Sequence, residues 1–445
     1  MRVCVVGSGG REHALADALG RTAEVICTPG NPGMAELAEC RPGPPEEIPA
    51  DLFVIGPEAP LVDGLGDRLR AAGRAVLGPS AAGARLEGSK AWMKQVLVEA
   101  GVPTARHRAF GADELGAALA WIDELPGPWV VKTDGLAAGK GVLVTADRDD
   151  AAADVRDKLD GSAFGDAGRV VVIEEGLNGP ELSVLALCDG RRSVPLPPAR
   201  DFKRLGDGDT GPNTGGMGAY SPVPGAGDDV VAEVMERAVA PTLAALRRRG
   251  IDYRGILYAG LMLTPDGLRV LEYNVRFGDP EAEVVAPRID DDLAAWLHAA
   301  AGRLPEGDAP AVSADACVTV VMASPGYPVA PRSGVAISGL DPRRRPAQTA
   351  EPTGTVDRGD RVGRGDRGSS SGRGGGWADG ARVYHAGTAL DGEGRLVTAG
   401  GRVLAVTGRG PTLEAARDAA YARVGTIDFD GAQVRSDIAA AELVR

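Results

Sequence analysis

The sequence predicts a chain of α/β and α+β parts. These are an N-terminal doubly wound parallel-sheet domain over 1–102, a central domain over 103–297 and a β-rich C-terminal domain over 298–445. Three observations predict it. Apolar runs at 3–6, 51–55 and 75–77 read as buried strands, each ending in a glycine- or proline-containing turn; in a parallel sheet such ends gather on one rim, where ligands sit. A glycine-rich loop at 134–141 leads from one strand (129–133) into another (142–145), not into a helix. Beyond 297 the pattern changes to strands and turns at 316–323, 335–338, 383–390 and 402–407, with one late helix at 413–424. The length of 445 residues also exceeds the ~100–200 of a usual single domain.

Composition excludes several function classes. A formal net charge of −13 argues against nucleic acid as a partner. The five cysteines form no CxxC pair and the four histidines stand singly, so neither a zinc site nor a disulfide framework is expected, and a reducing cytoplasm is the expected setting. The apolar start at 1–6 is too short for a signal peptide. No run reaches ~18 apolar residues, so no membrane span is expected. A monomer is expected. Of 49 lysines and arginines only six are lysine, at 90, 94, 132, 140, 158 and 203. Where arginine is the default surface cation, a retained lysine marks a place that needs a compact ammonium on a flexible stem.

The glycine turn at 7–10 opens a helix at 11–19, which aims backbone N–H groups and a positive helix end at an anion. Glu12 stands where the third glycine of GxGxxG belongs, so no dinucleotide is assigned. Residues 86–94 open a helix running to 100, on which Lys90 and Lys94 share a face; a solvated stripe remains an equal reading there. The strand 129–133 turns Val131 or Lys132 inward. Its loop is not a Walker loop, because only three residues separate Gly135 from Gly139 and Gly141 replaces the magnesium-binding Ser or Thr. Glycines beside Lys132 and Lys140 suit a flap that folds over phosphates. Residues 170–183 read as strand, hinge and strand, the hinge offering backbone groups to an adenine edge and Glu181 to ribose hydroxyls. Residues 206–222 hold six glycines and no apolar face, so they read as a functional loop and not as core. A helix at 228–249 and a strand at 255–263 follow. The Arg- and Gly-rich stretch 341–376 faintly resembles an RNA-binding tail, but it lacks aromatics for stacking and reads as a disordered insert.

The strand ending at Asn274 carries the most chemistry. Alternation places Val270, Glu272 and Asn274 on one face, with the carboxylate and the amide oxygen about 7 Å apart along the strand. Two hard oxygen donors suit Mg²⁺, which takes few protein ligands and leaves positions for nucleotide phosphates. Arg276 adds a planar cation suited to a phosphoryl group or carboxylate. Taken alone, a solvated edge strand explains this segment as well; the other motifs decide for the metal.

Together the motifs resemble those of the phosphoribosylamine–glycine ligases (glycinamide ribonucleotide synthetases) of the ATP-grasp superfamily. The resemblance rests, in order, on 7–14, 56–62, 86–94, 132–142, 211–222, 272–281, His385-Ala-Gly-Thr388 and Gly400-Gly-Arg-Val403, and spans nearly all of the chain except the insert. It implies ligation of glycine to 5-phosphoribosylamine with ATP, giving glycinamide ribonucleotide, ADP and phosphate through a glycyl phosphate, the second step of purine synthesis. It implies Mg²⁺ (or Mn²⁺) on Glu272 and Asn274. ATP phosphates fall to Lys90, Lys132, Gly135, Gly139, Lys140 and Gly141, and adenine and ribose to Glu174, Leu177 and Glu181. Arg276, Lys140 and Asp201 are the implied catalytic residues. Gly9, Gly10, Asn213, Thr214, Gly215, Gly216, Gly278, Asp279 and Pro280 are expected to hold the two substrates. Departures are Thr133 for a frequent Ala, Phe202 for a frequent His and Glu283 for a frequent Gln. Gly260 falls where ATP-grasp enzymes generally place another metal carboxylate, a gap the family shares. The alternative is another ATP-grasp carboxylate–amine ligase or a carboxylase; those lack the segment Gly-Pro-Asn-Thr-Gly-Gly-Met-Gly found at 211–218.

Overall fold

The structure is a computed structural model that describes residues 1–136, 141–161, 169–307, 309–340, 377 and 380–443. Gly139, Lys140 and the expected insert at 341–376 lie outside the described residues.

Apolar residues on both faces of the first strand fix a sandwiched sheet, as parallel sheets require. Cys4 and Val6 of Arg2–Gly7 enter one core, Val3 and Val5 the other. The five parallel strands run in the order Glu39–Cys40, Glu24–Pro29, Arg2–Gly7, Leu52–Ile55, Ala75–Leu77. The outermost strand escapes prediction from pattern, since Glu39–Cys40 has only two residues. The helix expected from 86 to 100 is two helices, Ala81–Gly88 and Lys90–Ala100. Ser89 between them is extended, and its hydroxyl accepts from the Trp92 N–H at 3.1 Å, so a serine cap restarts the helix. That break puts Lys90 in the first turn of the new helix.

Two antiparallel four-stranded sheets make up the centre. One has the order His107–Gly111, Val170–Glu175, Trp129–Thr133, Val142–Thr145. Val131, Val171 and Ile173 of this sheet pack under the helices Leu115–Glu124 and Arg148–Leu159. The other has the order Ser193–Pro195, Glu181–Asp189, Arg254–Thr264, Gly267–Asn274. The expected helix at 228–249 is continuous, with a π turn at Met235–Val239 between Asp228–Val234 and Ala240–Arg248.

The third part corrects one reading. Residues 206–222 are not all loop, because Gly218–Ser221 is a fully buried strand. It stands between Arg200–Asp201 and Ala316–Ala323 in a five-stranded sheet completed by Arg402–Gly410 and Ala381–His385. Four residues are too few to show an apolar face in sequence; Tyr220 and Met217 gain theirs only when the distant strand at 316–323 arrives. The expected strand at 335–338 makes only isolated bridges, Ala336 to Val397 and Ser338 to Asp428. No described helix is long and apolar enough to cross a membrane.

Candidate active site

A cavity of about 1110 Å³ lies between the two central sheets, with Val130, Lys132 and Val142 from one and Leu271, Glu272 and Asn274 from the other in its walls. Its volume suits a nucleotide with a second small substrate.

The hairpin that carries Glu272 is bulged. Gly260 pairs with Glu272, but Leu261 pairs with Val270, so Leu271 is the extra residue. A bulge resets which side chains share a face. Val270 therefore points into the core with Tyr273 and not with Glu272, against the simple alternation. Glu272 and Asn274, beyond the bulge, do share the cavity face. Among the described residues neither side chain forms a hydrogen bond or ion pair. Burial alone would raise the Glu272 carboxyl, but Lys203, Lys132 and Lys90 outweigh it and hold it below the usual range. No group of three or more His, Cys, Asp or Glu among the described residues could cage a metal. Two open oxygen donors beside a phosphate-sized space nevertheless fit Mg²⁺, which completes its shell with water and phosphate.

The rare lysines converge on this wall. Lys132 Nζ stands 3.0 Å from Glu174 Oε1 and donates to the Leu271 carbonyl at 3.2 Å. Lys94 Nζ takes the other oxygen of Glu174 at 2.8 Å and Thr104 Oγ1 at 2.7 Å. Lys94 is thus neither solvated nor a ligand contact. Glu174 also lines the cavity, with one oxygen against each of these two lysines. Burial lowers the Lys94 ammonium to about 8 despite Glu174. Lys90 reaches the Gly135 carbonyl at 3.0 Å, and Gly135, Gly141, Leu177 and Glu181 line the cavity.

A second charged cluster joins Asp201, Lys203, Glu181 and Glu281. Lys203 Nζ bonds the Glu181 carboxylate and lies 3.2 Å from Asp201 Oδ1. Burial, with Glu281 and Glu181 nearby, raises the Asp201 carboxyl to about 7 against the pull of Lys203. Glu281, to which sequence reasoning gave no role, is buried and accepts from Tyr258 Oη at 2.6 Å. Lys203 could have been found from its rarity.

At the substrate turns, Asn213, Thr214, Gly215 and Asp279 line the cavity, whereas Gly9, Gly10, Gly216, Gly278 and Pro280 do not. The Gly9 N–H is already spent on Glu12 Oε2 at 2.7 Å, so it is not an open anion donor. Gly216 has φ +111 and lies where a Cβ would come within 2.4 Å of Pro280 Cδ, so only glycine lets these two turns meet. Arg402 clamps them, donating to the Gly215 carbonyl at 2.6 Å and the Asp279 carbonyl at 2.9 Å. Arg276 lines the cavity with each of its three nitrogens donating once: Nη2 to Glu87 at 2.6 Å, Nε to Glu58 at 3.2 Å and Nη1 to the Phe277 carbonyl at 3.1 Å. Burial pushes the Glu87 carboxyl up; at Glu58 the pull of Arg276 and Arg11 exceeds the burial effect and the carboxyl is lowered. Arg11 carried no sequence signal, since arginine is this chain's ordinary cation.

Two antiparallel sheets closing on buried lysines, an acid and an amide define an ATP-grasp enzyme. Three family models for phosphoribosylglycinamide synthetase match: the N domain at 1–87, the ATP-grasp (A) domain at 88–282 and the C domain at 374–441. The chain is 46% identical to a phosphoribosylamine–glycine ligase of Streptomyces coelicolor over 99% of both chains. It is 42% identical to one of Caulobacter vibrioides, over 98% of this chain and 97% of that one. The crystal structure of phosphoribosylamine–glycine ligase from Thermotoga maritima superposes with a TM-score of 0.81 at 34% identity, covering 98% of this chain and 100% of that one. A biotin carboxylase domain from Hydrogenobacter thermophilus shares the fold, with a TM-score of 0.66 at 16% identity over 97% of this chain and 91% of that one. The chain belongs to the phosphoribosylglycinamide synthetase family of ATP-dependent ligases.

Proposed function

We propose that this ligase joins glycine to 5-phosphoribosylamine with ATP, giving glycinamide ribonucleotide, ADP and phosphate. The observation that carries the reading is one nucleotide-sized cavity with the open oxygens of Glu272 and Asn274 facing Lys90 and Lys132. A carboxylate is a poor acyl donor, so the glycine carboxylate first takes the terminal phosphoryl of ATP, and the amine of phosphoribosylamine then displaces phosphate from the glycyl phosphate. Such transfer depends on positioning and charge neutralisation. Glu174 and the Leu271 carbonyl fix the Lys132 ammonium; the Gly135 carbonyl fixes Lys90. Glu272 and Asn274 would hold Mg²⁺ (or Mn²⁺), which when bound neutralises phosphate charge. Gly135 and Gly141 would meet the phosphates, as would Gly139 and Lys140, which lie outside the described residues. Leu177 and the hinge backbone take adenine, and Glu181 the ribose.

Asp201, with its proton held to about 7, accepts the proton that the attacking amine loses. Asn213, Thr214, Gly215 and Asp279 hold the substrates, while Gly9, Gly10, Gly216, Gly278 and Pro280 shape the turns behind them. Arg276 serves the transferring phosphoryl by exchanging an acidic partner for it. The three-part division at 102 and 297, a monomeric state and action in the cytoplasm belong to the same reading. Glycine carrying ¹⁸O in its carboxylate should deliver one label into the released phosphate; unlabelled phosphate would overturn the glycyl phosphate route. ADP release on replacing glycine with bicarbonate would favour a carboxylase instead.

A further inference from the structure

The segment after the last helix returns to the nucleotide cavity, where Ala439, Ala441 and Glu442 form part of the wall. The Glu442 side chain is 4% exposed, and its Oε1 accepts from Arg200 Nη1 at 2.8 Å and Tyr220 Oη at 3.1 Å. Arg200 and Tyr220 are register partners across neighbouring strands, so one carboxylate ties together both members of a strand pair. Arg200 in turn donates from Nε to the Glu181 carbonyl at 2.8 Å. The next residue, Asp201, shares Lys203 with the Glu181 carboxylate. Direct contacts therefore run from Glu442 through Arg200 to the Glu181 main chain, and the next residue along the strand belongs to the acid cluster of the proposed ribose site.

We infer that Glu442 is a positioning residue for nucleotide binding, acting through Arg200; this rests on the reading of the cavity as the ATP site. The Arg200 side chain is only 17% exposed. A buried cation whose anion is removed must find another. Glu181, whose carbonyl Arg200 already meets, and the adjacent Asp201 are both held by Lys203. Glu442 keeps the Arg200 charge satisfied away from them, so that Glu181 stays set toward the cavity.

The test compares wild type, Glu442→Ala, Glu442→Gln, Arg200→Ala and the Arg200→Ala/Glu442→Ala double variant in ATP binding by calorimetry and in KM for ATP and glycine. Glu442→Ala should weaken ATP binding about 10-fold, the scale of a lost hydrogen bond to a charged group, with KM for glycine within about 2-fold. Glu442→Gln keeps an acceptor oxygen but not the anion Arg200 needs, so it should recover only part of the loss and leave ATP binding about 5-fold weaker than wild type. On the Arg200→Ala background, Glu442→Ala should add less than about 2-fold, since groups acting through one contact are not additive. Unchanged ATP binding, an equal rise in KM for glycine, or additive losses would overturn the inference alone. Wild-type protein that fails to bind ATP would overturn the site reading with it. Should Glu442→Ala not fold, the cycle is read with Glu442→Gln on wild-type and Arg200→Gln backgrounds; an effect equal on both overturns the proposal.

Discussion

Lys94 and Glu174 form a buried ion pair 2.8 Å long, each side chain 2% exposed, between a helix of one part of the chain and a strand 80 residues on. The same carboxylate also stands 3.0 Å from Lys132. One acid thus anchors the cavity lysine while a second lysine, Lys94, which does not line the cavity, completes its neutralisation. Removing a single partner of a buried pair is costly because it strands the other charge.

Lys94→Met should therefore lower stability by about 3 kcal/mol, measured by urea unfolding. It should also raise KM for ATP, because Lys132 is then drawn fully onto Glu174. A loss under about 1 kcal/mol, the scale of an exposed pair, would show that the pair is hydrated in solution.

Glu272→Ala should leave the fold intact, since the carboxylate bonds no other described residue, yet reduce turnover at least about 100-fold, the loss that even outer-shell changes cause at metal sites. Circular dichroism and ADP release measure the two halves. Near-wild-type turnover by a folded variant removes the metal assignment.

The Asp201 carboxyl, raised to about 7 by burial and neighbouring acids, should appear in the pH profile. Its ionised form is the proton acceptor, so kcat/KM should rise with pH through about 7. Asp201→Asn should abolish that limb and cost about 100-fold, within the usual range for a general base. A variant that keeps the limb would assign it elsewhere.

Glu283 is fully buried, with neither carboxyl oxygen hydrogen-bonded. Burial, then the nearby Asp279, hold its proton far above 4.5, against the pull of Arg402 and Arg11. The folded state thus keeps a proton that the unfolded chain loses above 4.5. The sign follows: stability from this group is fully present below 4.5 and declines as pH rises towards the folded value. Glu283→Gln does not titrate, so its advantage in unfolding free energy should grow above pH 4.5, by up to about 1.4 kcal/mol per pH unit. Parallel pH curves for the two proteins would contradict it.

Local pattern alone determined several features. The strands at 3–6, 52–55 and 75–77 declare themselves because a doubly buried strand is a short apolar run. Glu272 and Asn274 fall on one face because strand side chains alternate with period 2. Of the five described lysines that scarcity singles out, Lys90, Lys132 and Lys203 line the cavity, whereas Lys94 and Lys158 do not. Only the tertiary structure decided what these groups face. The bulge at Leu271 turns Val270 away from Glu272, which depends on pairing with the preceding strand. That Glu174 stands between Lys94 and Lys132 is set only when their three elements meet. Arg276 reads as a free cation until Glu87, 189 positions earlier, and Glu58, 218 positions earlier, take its donors. Glu442 carries no signal at all until its segment folds back on Arg200, 242 positions away. Periodicity and propensity act over a few residues, so they fix which way a side chain points from its own strand or helix. The partner of a buried charge is set by which distant segments share its low-dielectric surroundings, and that is settled only when the chain closes on itself.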